Sequence, residues 1–241
     1  MDYEQQILKE CRNWQHEIMK KRSSLFGRAG KSVQNKINEK IPQKVHDIVT
    51  ESIKGMVQSM LYGSDFMSRR GPVFDMPLKE REQRVENKIV NYRRTATAEG
   101  AGTGFGGLWW GLADFPMLLS IKMKFLYDTA GLYGFDVKDY RERLFLLYIF
   151  QVAFSSDEKR IEAFLKLRNW PESIQTYTSL KELDWQQFQQ EYRDYIDLAK
   201  LFQLIPGLGA IVGGIANYRF LGHLGETAMN AYRMRILDFD D

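Results

Sequence analysis

The 241 residues are 44% hydrophobic and 27% charged, which is enough apolar material for a substantial core and excludes a wholly disordered chain. A net charge of +3 is too small to imply a nucleic-acid partner, and the one cysteine, Cys11, excludes an intramolecular disulfide and suits a reducing compartment. Six prolines among many Lys, Glu, Gln, Leu and Met favour helix over strand.

Taken in chain order, residues 3–22 place Ile7, Leu8, Cys11, Trp14, Ile18 and Met19 at helical spacing, and no charged-then-apolar export signal precedes them. A basic segment follows: from Lys20 to Lys44 there are eight Lys or Arg against one acid, Glu39. Pro42 suits the first turn of a helix whose stripe is Val45, Ile48, Val49, Ile53, Met56, Val57 and Met60. Residues 63–77 read as a loop and 78–98 as a very polar helix. Gly131 and Gly134 are expected to break a helix, and Asp136 or Asp139 to cap the next, which is apolar nearly all round and so buried. A helix over 157–168, a turn at Asn169-Trp170-Pro171, a helix from Trp185 to about Leu204 and a last helix from about Leu208 to Leu237 complete the chain. Nothing alternates with period two for long enough to make a strand, so the class is all-α: a multi-helix bundle with residues 1–62 as an N-terminal helical arm and 77–241 as the core.

Two glycine-rich apolar stretches dominate that core. Gly100–Ile121 carries one ionised side chain, Asp114, and Leu201–Gly222 carries Arg219. Insertion energies are marginal: seven Leu, Ile or Phe at roughly −0.5 kcal/mol each are offset by one Asp at roughly +3 kcal/mol in the first stretch, and the second is only slightly better. The glycines have a clearer role. Gly102 and Gly106, Gly107 and Gly111, and Gly209 and Gly213 are each four apart, and Gly106-Gly107 and Gly213-Gly214 look like corresponding positions of a weak repeat. Small residues at that spacing let backbones approach closely, so the two stretches are expected to pair as central helices, in a soluble core or a membrane hairpin. Asp114 and Arg219 are then expected to pair or to face a water-filled cleft, where Asn217 and Glu99 join them as the polar lining of a ligand pocket.

The run GLADFP after the first glycines, and IPGLGAIVGGIANYRFL near the C-terminus, resemble the EcsC family of bacterial proteins, over most of the chain from about residue 70. Its founding member is encoded beside an ABC-transporter ATPase and its membrane subunit. The resemblance implies a membrane context, supplies no catalytic residues, and carries over Asp114, Asn217 and Arg219 as matching polar positions.

Other motifs fall short. Gly102-Thr-Gly104-Phe-Gly106-Gly107 has the letters GxGxxG without the strand before it that a dinucleotide fold requires, and the segment ending Gly30-Lys31-Ser32 lacks the first glycine of a P-loop, having Leu25 there. His223 and Glu226 share a helix face but lack the second pair a carboxylate di-metal site needs, so no metal and no cofactor is expected. Membrane-surface candidates are Lys20, Lys21, Arg22, Arg28, Lys31 and Lys36, with Trp109 and Trp110 as interfacial anchors. The expected function is binding: an accessory or regulatory protein on the cytoplasmic side of the cell membrane, peripheral or partly embedded, whose partner is lipid or an ABC-transporter membrane subunit, with no nucleic acid. The competing readings are a lipid-directed hydrolase using Asp114, Arg219 and His223, and a soluble helical bundle holding an apolar ligand.

Overall fold

The computed structural model describes residues 2–20, 42–62, 71–103, 112–176 and 213–237, with Tyr192, Ile196 and Leu201 between the last two. These residues form helices α1 (Tyr3–Met19), α2 (Gln43–Tyr62), α3 (Leu78–Thr103), α4 (Phe115–Tyr133), α5 (Tyr140–Phe154), α6 (Asp157–Arg168), a single turn α7 (Trp170–Ser173) running into a 3-10 turn, and α8 (Gly213–Ile236). Among them there is no strand, only an isolated antiparallel bridge between Ser155 and Ile196. The class is all-α. No described helix is long and apolar enough to cross a membrane.

Local chemistry sets the helix ends. The Asp2 carboxylate accepts from the Tyr3 N–H at 2.7 Å and opens α1, and Asp139 accepts from Arg141 N–H at 2.9 Å and opens α5. Gly134 ends α4 with φ 92°, a left-handed cap that glycine adopts without strain, while Gly131 stays inside the helix. The expected turn at Trp170-Pro171 is instead the short helix α7, because proline is tolerated in a first turn whose N–H needs no partner. Every residue of α5 from Glu142 to Phe154 is buried, as its apolar run implies. The apolar stripes of α1 and α2 enter the same core as α4, α5 and α8, so Ile18, Val45 and Val49 pack into one cluster with Phe145 and Tyr232.

Helices α3, α4 and α8 pack side by side, and specific contacts fix their directions. The α3–α4 pair is antiparallel: Tyr133 donates to Glu82 at 3.1 Å, and Lys88 and Tyr92 both reach Asp128, at 2.6 and 3.0 Å. The α3–α8 pair is also antiparallel, from Glu82 against Arg233 to Arg93, which donates to the Tyr218 carbonyl at 3.1 Å. Glycines permit this approach: a Cβ at Gly225 would sit 2.6 Å from Ile89 Cδ1, and one at Gly222 only 1.8 Å from the Arg93 guanidinium. It follows that α4 and α8 run parallel, and Lys122–Asn217 and Tyr133–Tyr232 are level pairs along them. All three helices therefore share one end, where α3 closes at Thr103, α4 opens at Phe115 and α8 opens at Gly213.

Close packing by glycine is thus observed at Gly222 and Gly225, neither among the positions expected for it. Of those positions, Gly102 lies in α3 and Gly213 and Gly214 in α8, while Gly106, Gly107, Gly111 and Gly209 fall outside the described residues. So does most of the helix expected from Trp185 to Leu204, of which Tyr192, Ile196 and Leu201 are buried.

Candidate functional site

The expected Asp114–Arg219 pair is not formed. Asp114 is half-buried at the N-cap of α4, where its side chain makes no capping hydrogen bond, and no ion pair joins it to Arg219. Arg219 is exposed on α8, so solvent satisfies its charge and it needs no buried counter-ion. His223, one turn further along, is also exposed and lies 4.0 Å from Glu226 on the same face. That contact with the imidazole holds the Glu226 carboxyl below its usual range. Arg219 and His223 thus lie one turn apart on exposed positions of α8, and no ion pair joins either of them to Asp114. Among the described residues no group of three or more His, Cys, Asp or Glu is placed to hold a metal ion.

The buried charge beneath the glycine stretches is a different one. Lys122, fully buried on α4, donates to Asn217 Oδ1 at 2.9 Å and to the Leu118 carbonyl at 3.2 Å. Asn217, expected in a polar lining, is thus fully buried at the α4–α8 contact and holds a lysine that the sequence reading passed over. Glu99 lies in α3, with its side chain outside the described residues. Lys20 is exposed at the end of α1 and ion-pairs with Glu17, whose carboxyl is lowered by that contact. Lys21, Arg22, Arg28, Lys31, Lys36, Trp109 and Trp110 fall outside the described residues.

Two polar networks stand at the other end of the central helices. Glu82, 1% exposed, accepts from Arg233 Nε at 2.7 Å and Nη2 at 2.8 Å, from Tyr133 at 3.1 Å and from Tyr3 at 2.7 Å. Burial and Glu82 together push the Tyr3 hydroxyl well above its usual range. Glu10 completes the group at 3.3 Å from Arg233, which ties α1 to α3 and α8. Four donors thus converge on the Glu82 carboxylate and occupy both of its oxygens. In the second network Glu142 binds Arg235 and Tyr232, and the Arg235 guanidinium lies over Phe135 at 3.8 Å and Phe145 at 4.3 Å. Burial raises the Glu142 carboxyl, against the opposing pull of Arg235 and Tyr232. These groups spend their hydrogen bonds on one another. Their partners lie 151 and 93 residues away in sequence, which is why no local motif could reveal them.

The chain is 49% identical to Protein EcsC of Bacillus subtilis (strain 168) over 233 residues, covering 97% of this chain and 96% of that one. It is 31% identical to the Uncharacterized protein YdbA of the same organism over 161 residues, 66% of this chain and 59% of that one. No solved structure matches. The model of the EcsC protein family matches residues 5–237, and on that near-complete match the chain belongs to the EcsC protein family.

Proposed function

We propose that this protein is an accessory factor that binds at the cytoplasmic surface of the cell membrane, where it engages lipid or the membrane subunit of an ABC transporter. The observation that carries the reading is the basic segment 20–44 and the way its two ends are held. It begins just after Ile18, 7% exposed on α1, and ends just before Val45, fully buried on α2. Eight Lys or Arg against one acid thus lie in sequence between two helices packed in one core. Near an anionic leaflet each such residue contributes up to about 1 kcal/mol, enough in sum for peripheral attachment without a membrane span. The transporter half of the reading rests on the resemblance alone.

The test is co-sedimentation of the full chain with phosphatidylglycerol–phosphatidylcholine vesicles over a salt series. The expected result is binding that falls steeply with salt and that is lost when Lys21, Arg22, Arg28, Lys31 and Lys36 are replaced by Gln. Undiminished binding by that variant would remove the electrostatic basis. Binding only to vesicles that contain the transporter's membrane subunit would assign the partner as protein.

A further inference from the structure

We infer that one end of the bundle, where α3 closes and α4 and α8 open, is the face that rests on an anionic lipid bilayer. This deepens the membrane reading above and rests on it. Toward this end the three helices carry Arg93, Arg94, Lys122, Lys124 and Arg219 against the carboxylates Glu99 and Asp114. Arg94, Lys124 and Arg219 are exposed, and they point the surplus charge outward. Beside them Met117 and Tyr218 are each 44% exposed, and the Arg93 guanidinium sits 4.3 Å from the Tyr218 ring centroid. Cations flanking an amphipathic aromatic ring and a bare methionine match the headgroup level of a bilayer, where phosphates take the charge and the acyl boundary takes the apolar groups.

The path of the chain points the same way. It leaves α3 at Thr103, re-enters at Leu112 and enters α8 at Gly213, so both glycine-rich runs of the sequence join the body at this end.

The test uses the full chain with Met117→Cys or Tyr218→Cys, each labelled with a polarity-sensitive fluorophore while Cys11 stays buried. The control is Phe74→Cys, 68% exposed near Gly134 at the opposite end. With phosphatidylglycerol-containing vesicles, the labels at 117 and 218 are expected to shift to the blue and the label at 74 to stay in water. Replacing Arg94 and Arg219 together by Gln is expected to lower vesicle partitioning about tenfold. Sedimentation with vesicles while the labels at 117 and 218 remain in water would overturn this orientation and leave the basic segment as the membrane contact. No sedimentation at all would overturn both. A shift that requires the transporter's membrane subunit in the vesicle would overturn the lipid assignment and give this face to a protein.

Discussion

The carboxylate of Glu82 is 1% exposed, and the Arg233 guanidinium that binds it through two nitrogens has a side chain only 9% exposed. Taking both ions out of water costs several kcal/mol each, and their attraction together with the Tyr3 and Tyr133 hydrogen bonds offsets that cost. The two substitutions that follow differ in size. Glu82→Gln leaves the buried guanidinium with only the half-exposed Glu10 carboxylate, 3.3 Å away, and the expected loss is about 3 kcal/mol in urea unfolding with the slope m unchanged. Replacing both partners, Glu82→Leu with Arg233→Met, removes the buried charge altogether and is expected to recover most of that loss. A double variant as unstable as Glu82→Gln alone would mean that the network stabilises by more than its charge balance.

At the scale of elements, the packing of α3 on α8 depends on two glycines whose missing Cβ atoms are occupied by neighbours. A methyl group at Gly225 would lie 2.6 and 2.7 Å from Ile89 Cδ1 and Cγ1, atoms of a branched side chain packed against the core. Gly225→Ala gains about 1 kcal/mol of helix propensity and incurs about 1–3 kcal/mol of overpacking, so a net loss of about 1 kcal/mol is expected. Adding Gly225→Ala to Ile89→Ala should then cost nothing further, a coupling that a double-mutant cycle reads directly. Gly222 is the contrasting case. Its intruder is the flexible end of Arg93, which can swing aside, so Gly222→Ala should leave stability unchanged to within about 0.5 kcal/mol. These glycines also mark how far the sequence could be read. The α2 stripe, the apolar middle of α5 and the Asp139 and Gly134 caps were legible because each is a local pattern with its own period or dihedral demand. The packing of α3 against α4 and α8 was not, since it buries only Glu82 and Val85 among its described side chains and is held by ion pairs to residues far along the chain. The expected Asp114–Arg219 pair failed for the same reason. Their placement depends on which face of α8 turns to solvent, and glycine spacing alone does not decide that.

The molecule as a whole is stitched by tyrosine hydroxyls that reach from one element to another. Tyr127 on α4 donates to the Met60 carbonyl on α2 at 3.0 Å, and Tyr133 donates to Glu82 on α3. Tyr192 reaches the Leu147 carbonyl on α5 at 3.1 Å, and Tyr232 on α8 reaches Glu142 on α5 at 2.7 Å. All four side chains are at most 2% exposed. Burial pushes Tyr127 up to about 12, and pushes Tyr133, Tyr192 and Tyr232 well above 10, with Glu82 adding to the rise at Tyr133 and Glu142 at Tyr232. In the unfolded chain these phenols ionise near pH 10. Above that pH the folded state therefore holds protons that the unfolded state has released, and stability must fall as pH rises. Each such tyrosine contributes a slope of about 1.4 kcal/mol per pH unit, beginning near pH 10 and for Tyr127 ending near 12. Since the four hydroxyls hold five different helices to one core, their ionisation should come as one cooperative step. Following tyrosinate absorbance at 295 nm together with far-UV circular dichroism, we expect the exposed tyrosines to titrate first with the helices intact. The buried group should then be released in the same narrow interval in which helical signal is lost. Release of the whole tyrosine complement at pH 10–11 with the dichroism unchanged would mean that these hydroxyls do not anchor the helices to one another.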